Sequence, residues 1–517
     1  MELLKFFSSK KGRDSKKKNH QSLLKNTDFF NKEDLPLFAS LKTNFDMIKK
    51  IMGNSTDIMI KEFKIGEKSE INLGIIYTDG LSDKQLINEF VLETLMINIR
   101  QVDFDLNSLH HRLMDVIKTN TLPVAEITEV NNFNKLFLHV LSGDTILLID
   151  GITEGISLSS REWAVRSIQE PESQTVVRGP RDGFTETLRT NTALIRRRIK
   201  DPNLWLETKQ IGARTQTDVS IMFLQDVADK KTVDEVRERL KDIDTDIILD
   251  SGNIEEYIQD GKITTFPTVY DTERPDTVAA GILQGKIAIL VDGSPFVLLV
   301  PALLINFFQT SEDYYQRADI ATVVRLIRFL AFFLSLLTPS LFIAITTFHQ
   351  EMLPTSLLIN LSAQREGVPL STLFEAILME LTFEILREAS IRMPRSIGTA
   401  ISIVGALVIG QAAVEAGFVS AAMVIIVSLT AICNFVSPSY SMAASVRILR
   451  FMFMFIANLL GLFGIIIGLL LLVLHLSSIR SFGEPYLTPL APFKLKAQKD
   501  SIVRLPKWFL ETTKRKK

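Results

Sequence analysis

Cys433 is the single cysteine in the chain, so no disulfide can close within it and no cysteine pair is available for zinc or redox chemistry. The six histidines, His20, His110, His111, His139, His349 and His475, form no HExxH or comparable ligand pattern. A G-x-S-x-G elbow, a Walker lysine and a dinucleotide fingerprint are also missing, so the sequence argues against an enzyme, calls for no cofactor and has nothing that points to nucleic acid. The N-terminal stretch MELLKFFSSKKGRDSKKKNHQ is basic but lacks an apolar run long enough for a secretory signal, so the N-terminal region is expected to stay in the cytoplasm.

Charge is the most telling absence. Between Arg395 and Arg447 the only Asp, Glu, Lys or Arg is Glu415, and from Phe451 to Leu474 there is none, although the whole chain is 23% charged with a net charge of -1. Roughly 20 apolar residues cover the hydrocarbon core of a bilayer. Residues 1 to about 284 mix apolar and charged stretches as a globular region does. The expected fold class is therefore an α/β cytoplasmic N-terminal region followed by an α-helical polytopic membrane domain.

The soluble half repeats itself. LGIIYTDGLSDKQLINE from Leu73 and VSIMFLQDVADKKTVDE from Val219 both read as strand, turn and a helix opening at Asp-Lys, with Asp83 and Asp229 at the helix starts. VLSGDTILLIDG from Val140 and ILQGKIAILVDG from Ile282 both read as a helix end, a glycine stop and an apolar strand closing on Asp-Gly, at Asp150 and Asp292. Two similar α/β units follow, over about 50–158 and 212–300. The basic stretch between them carries Arg178, Arg181 and Arg189, candidates for contact with a neighbouring unit or partner. Asp182 stands where it would cap a helix over 183–199 that ends in Arg196, Arg197 and Arg198.

In the second half four spans are clear: Phe329–Phe348, about Ile397–Val414, about Phe418–Val436 and about Ile448–Leu476. Two segments are ambiguous. Ile287–Phe308 is apolar but interrupted by Asp292, Gly293, Pro295 and Pro301, as a broken or re-entrant piece would be. Ser371–Arg392 is helical in pattern but carries Glu375, Glu380, Glu384 and Glu388. The basic C-terminal tail favours the cytoplasmic side, so the crossings should be even, four or six. The resulting division is a basic disordered tail over 1–44, a first unit over 45–160, a basic linker with a helix over 161–211, a second unit over 212–284, a membrane domain over 285–480 and a cytoplasmic tail over 481–517.

Glu380, Glu384 and Glu388 are the candidate ion-pathway residues, because positions four apart advance only about 40° around a helix and so form one stripe. The competing reading is an amphipathic helix at the cytoplasmic surface, with Glu384–Arg387 and Glu388–Arg392 as exposed ion pairs.

The runs VRGPRDGFTETLRTNTALIRRRI, TERPDTVAAGILQGKIAILVDGSPFVLLVPALLINFFQTSEDYYQR, TTFHQEMLPTSLLINL, REGVPLSTLFEAILMELTFEILREASIRMPRSIG and IRSFGEPYLTPLAP resemble the A subunits of GerA-type spore germinant receptors, over about residues 45–492. That resemblance implies a multi-pass protein of the spore inner membrane with both termini cytoplasmic, partnered by a transporter-like B subunit and a lipoprotein C subunit. It also implies a homo-oligomer of A subunits acting as a germinant-gated cation channel. A secondary transporter and a non-conducting signalling scaffold of the same complex stay open as alternatives.

Overall fold

The computed structural model describes residues 35–65, 71–89, 127–162, 169–261, 264–392, 410–493 and 497–506. Residues 1–34, the 397–409 part of one expected span and the end of the basic tail lie outside the described residues.

Two five-stranded antiparallel sheets form the first half. Strands β1 (Ile58–Ile65), β2 (Ile71–Thr78), β3 (Ile127–Val130), β4 (Thr145–Ile149) and β5 (Gly155–Leu158) lie in the order β1-β2-β4-β5-β3. The second sheet, of β6 (Leu204–Ile211), β7 (Thr217–Leu224), β8 (Tyr270–Thr272), β9 (Ile287–Val291) and β10 (Val297–Val300), has the order β6-β7-β9-β10-β8, the same topology. The match reaches single hydrogen bonds. Each unit opens with a helix, α1 (Leu41–Ile51) and, here called α4 because α2 (Lys84–Glu89) and α3 (Phe133–Val140) intervene, Leu188–Arg198. The Leu41 N–H donates to Asp150 and the Leu188 N–H to Asp292, both at 3.0 Å, so each Asp-Gly turn caps the helix that began its own unit. Asn44 and Asn191 clamp the preceding loop in the same way, accepting from the N–H of Phe38 at 2.9 Å and of Thr185 at 2.8 Å.

These pairings correct several expected boundaries. The helix in the basic stretch and β6 belong to the second unit, not to a linker, and the unit continues to Val300. Ile287–Phe308 is no membrane piece. It is apolar because β9 and β10 are buried along their whole length, with alternate residues feeding two cores: Ala288, Leu290 and Leu299 on one face, Ile287, Ile289 and Leu298 on the other. Residues 35–44 are not a tail either, since Leu37 and Leu41 are buried beside Phe45 and Ile48. Asp182 does not cap α4; its carboxylate takes Arg198 at 2.6 Å, and the cap comes from Asp292.

The units are welded to each other. Arg196 and Asp57 form a fully buried pair, with Nε to one carboxylate oxygen at 2.7 Å and Nη2 to the other at 3.0 Å, while Nη1 donates to the Leu204 carbonyl at 2.7 Å. Thr56 N–H donates to Leu206 O, Leu206 N–H to Ser55 Oγ, and the Trp205 indole N–H to Ile51 O, each at 3.1 Å. The indole lies so close over Gly53 that a Cβ there would sit 2.1 Å from Trp205 Cδ2.

The second half is a helical bundle. The second unit adds α5 (Lys230–Lys241), α6 (Ser251–Ile258) and α7 (Pro275–Leu283), and the bundle helices are α8 (Ala318–Phe348), α9 (Thr355–Arg365), α10 (Thr372–Arg392), α11 (Ala421–Phe435) and the run Tyr440–Ser478. Among the described residues two runs, Ala318–Phe348 and Tyr440–Ser478, are long and apolar enough to cross a membrane. The second is not one span. Gly461 breaks it with φ 61° and ψ -142°. Ser445 Oγ donates to the Thr265 carbonyl, and His475 Nε2 is 2.8 Å from the hydroxyl of neighbouring Thr264. A straight helix would hold residues 445 and 475 about 45 Å apart. Further up, a Cβ on Gly468 would lie 2.8 Å from Phe453 Cε1. The run is therefore an antiparallel hairpin, α12 (440–460) and α13 (462–478), and glycines at 464 and 468 let its arms touch. At the tip, His349 at the end of α8 accepts the Leu462 N–H at 3.3 Å, satisfying a donor that the break frees.

The described residues beyond 480 pack rather than trail. Ser481 Oγ donates to Thr268 O at 2.7 Å and Tyr486 OH to Pro267 O at 2.8 Å, fastening the end of α13 to the second unit. Farther on, Asp500 meets Arg325 at 3.1 Å and the Tyr314 hydroxyl at 2.8 Å, at the base of α8. The buried Arg325 of α8 needs acceptors, and Asp500 and the Ser501 carbonyl of the C-terminal segment join Asp313 in supplying them.

A carboxylate and arginine stack inside the bundle as candidate functional site

The acidic segment Ser371–Arg392 forms α10, and its burial pattern decides which way the carboxylates point. Phe374, Leu378, Leu381 and Ile385 are exposed at helical spacing, while Glu375, Ala376, Met379 and Glu380 are buried. The helix is thus apolar outward and acidic inward, the reverse of a surface helix in water.

Each carboxylate has its own partner. Glu375 Oε1 accepts from the Ser420 N–H at 2.6 Å and from its hydroxyl at 2.5 Å, at the N-terminus of α11. Glu380 meets Arg450 of α12 at 2.5 Å, with both side chains buried, and Arg450 Nε also donates to the Ser335 carbonyl of α8 at 2.7 Å. Glu384 lies 2.8 Å from Arg387 and 3.5 Å from Arg447. Glu388 is exposed and pairs with Arg392 at 2.7 Å. Going along α10 from 380 to 387, the partners on α12 run from Arg450 through Arg447 to Tyr440, so α10 and α12 are antiparallel and the stack descends toward the soluble units.

The stack is incompletely satisfied. Glu375 Oε2, Glu380 Oε1, Glu384 Oε1 and Arg450 Nη2 are buried with no hydrogen-bond partner among the described residues. Buried polar atoms left in this way are costly and mark sites where water, an ion or a second arrangement belongs. Among the described residues no group of three or more His, Cys, Asp and Glu is placed to hold a metal.

The expected stripe of Glu380, Glu384 and Glu388 therefore divides, with two members inside the bundle and Glu388 on the outside near its end. The surface ion pairs of the competing reading are present, Glu384 with Arg387 and Glu388 with Arg392, but on a helix packed between α11, α8 and α12. Arg447 and Arg450 were not singled out from sequence. Their signal was the spacing: arginines three apart on one helix match carboxylates four apart on an antiparallel one. Of the basic candidates, Arg189 reaches Asp79 of the first unit at 3.6 Å. Arg181 is exposed and lies 3.9 Å from Glu170 of its own loop, and Arg178 is exposed beside Gly179, which Tyr315 covers.

Outside the bundle, two groups near its soluble side are shifted by burial. Glu255 of α6 is raised to about 7, first by burial and then by the nearby charges of Asp271 and Asp250. Asp271 of β8 is also raised, chiefly by burial, and it accepts from Ser441 Oγ at the start of α12 at 3.4 Å.

Comparison with known proteins places this architecture. Residues 46–516 match the family model described as Bacillus/Clostridium GerA spore germination protein. The chain is 49% identical over 469 residues to spore germination protein KA of Bacillus subtilis (strain 168), covering 91% of this chain and 85% of that protein. It is 40% identical to the uncharacterized membrane protein YfkQ of the same organism, over 92% of this chain and 91% of that one. A crystal structure of the N-terminal domain of the A subunit of the Bacillus megaterium spore germinant receptor GerK3 is 39% identical, covers 53% of this chain and 99% of its own, and superposes with a TM-score of 0.42.

Proposed function

The chain belongs to the GerA family of spore germination proteins, and on that premise we propose that it is the A-type subunit of a nutrient-sensing germinant receptor whose helical half forms, as an oligomer, a germinant-gated cation channel. The observation that supports this reading is the inward carboxylate stack of α10 within helices whose outer faces are apolar. A carboxylate at that depth costs a few kcal/mol unless a polar path or a partner receives it. Rings of Glu contributed by neighbouring copies attract cations and repel anions. In this reading Glu380 is held by Arg450 at rest, and opening shifts α10 against α12 and frees the carboxylates.

Placement follows the same reading. The described passes are α8, α10, α11, α12 and α13, and the apolar 397–414 stretch makes six, an even number that leaves both ends on the side of the α/β units. That side is the cytoplasmic face of the spore inner membrane, where the basic tail belongs. The partners are a transporter-like B subunit and a lipoprotein C subunit.

The test is cation current or liposome flux through the reconstituted receptor, with and without germinant, for Glu380→Gln, Glu384→Gln and Glu388→Gln singly. The first two are expected to lower conductance or cation preference, and Glu388→Gln to do so least. If all three assemble normally and conduct as wild type, α10 does not line the path. The second reading is a secondary transporter, which would place a substrate site near the membrane midplane. Stoichiometric solute exchange would favour it, and neither current nor exchange would leave a signalling scaffold.

A further inference from the structure

The turn that follows α13 belongs to the core of the other half of the molecule. Arg480–Ser481 pairs antiparallel with Glu484–Pro485, so Phe482 and Gly483 form a two-residue hairpin loop. Both have positive φ, 46° and 80°, as a type I′ turn requires. Asparagine, aspartate or glycine suits the first position of such a loop, and a bulky side chain there is strained. Phenylalanine stands in that position because its ring is used elsewhere. It is 2% exposed and packs in one cluster with Val236 and Leu240 of α5 and Ile254 and Ile258 of α6.

The second α/β unit supplies a fitted socket. The Phe482 N–H donates to Asp260 at 2.6 Å, and the Arg239 guanidinium stands 4.1 Å from the ring centroid. Arg239 is itself held by Asp260 at 2.6 Å and by Glu235, pairs that do not involve the ring. On either side of Phe482, Ser481 Oγ donates to the Thr268 carbonyl at 2.7 Å and accepts the Ala302 N–H at 2.9 Å, and Tyr486 OH donates to the Pro267 carbonyl at 2.8 Å. The same segment, Thr264–Thr268, is grasped by both arms of the helical hairpin, through Ser445 of α12 and His475 of α13. Three parts of the helical half converge on one loop of the unit, and of these the strained turn is the one that enters the unit's core.

A left-handed phenylalanine persists only while its surroundings hold it. Once out of the socket the backbone relaxes to negative φ, and Arg239 keeps its two carboxylates. An element with two discrete arrangements is what carries a change between distant parts of a protein. We propose that the Phe482–Gly483 turn is a latch coupling the α12–α13 hairpin to the second α/β unit: seated against Arg239 while the hairpin holds its place, and released when the hairpin shifts. The latch goes beyond the channel proposed above and does not require it.

The test uses the full chain in detergent, with Phe482 replaced site-specifically by 4-fluorophenylalanine and read by fluorine NMR in the presence of a water-soluble paramagnetic quencher. A major signal shielded from the quencher and a minor one broadened by it are expected. Arg239→Gln is expected to raise the minor fraction about fivefold, the weight of one cation–π contact. Glu380→Gln touches nothing at the socket but alters the α10–α12 contact, and it is expected to change the minor fraction at least about twofold. A single shielded signal in all three chains makes Phe482 a fixed core residue and overturns the proposal. A response to Arg239→Gln without one to Glu380→Gln makes the turn a local anchor and overturns the coupling. Phe482→Asn gives a second reading that does not depend on Arg239, because asparagine accepts the left-handed turn and leaves the socket empty. Faster hydrogen exchange along α13 is expected in that variant, and exchange equal to wild type overturns the coupling. A latch that responds while cation current stays as wild type leaves this proposal standing and counts against the channel.

Discussion

The weld between the α/β units and the stack inside the bundle each bury an arginine against a carboxylate, Arg196 with Asp57 and Arg450 with Glu380. In the weld, both oxygens of Asp57 accept from Arg196, and its remaining nitrogen donates to the Leu204 carbonyl. In the bundle, Glu380 Oε1 and Arg450 Nη2 have no partner among the described residues. A buried pair with every atom satisfied resists rearrangement, whereas one with spare donors and acceptors can exchange partners. The weld is a closed set of hydrogen bonds, and the pair in the bundle leaves one oxygen and one nitrogen unpartnered among the described residues.

Isosteric swaps break that contrast most strongly. Asp57→Asn turns an acceptor into a donor facing a buried guanidinium, so it is expected to cost about 3 kcal/mol, read as a drop in the denaturation midpoint followed by tryptophan fluorescence. Glu380→Gln keeps the one oxygen that Arg450 uses and so loses no hydrogen bond, and it is expected to cost less than Asp57→Asn although it too removes the counter-charge of a buried guanidinium. Equal losses for the two would remove the distinction between weld and switch.

A smaller effect compares two glycines of left-handed conformation. Gly461→Ala is expected to cost about 1–3 kcal/mol, because a Cβ at the hairpin tip would lie 2.9 Å from His349 Nε2 and 3.1 Å from Phe348 Cβ. Gly293→Ala, in the turn that caps α4, meets nothing closer than 3.7 Å and is expected to cost about 1 kcal/mol from φ alone. Thermal melts of the two variants in the same detergent decide the order.

A pH dependence is confined to the soluble side. The folded state raises Glu255 from 4.5 to about 7, so between those values it binds a proton that the unfolded chain has released. Its contribution is therefore whole below pH 4.5 and is lost as pH rises through 7. Glu255→Gln is expected to flatten the melting temperature between pH 5 and 8 by raising it at the alkaline end. A wild-type slope preserved in the variant would assign that dependence to other groups.

The duplication was legible because strand, turn and cap chemistry is local: Asp-Lys opens a helix and Asp-Gly closes a hairpin wherever the chain folds. What each Asp-Gly turn does besides was not legible, since Asp150 and Asp292 cap helices more than a hundred residues earlier in the chain. Buried strands and membrane helices share one composition, which is why Ile287–Phe308 read as a possible membrane piece.

By itself the sequence determined that one half would be a repeated α/β body and the other apolar helices, because hydrophobic period and charge-free length are properties of consecutive residues. Only the tertiary structure decided that Tyr440–Ser478 turns back at Gly461. Only it decided that Glu380 looks inward to Arg450 while Glu388 looks out. A glycine in an apolar run leaves helix and reversal equally open until the loop Thr264–Thr265 binds both ends of the run. A carboxylate on a helix acquires its role from whichever helix packs against it, and that partner lies 70 residues farther along the chain.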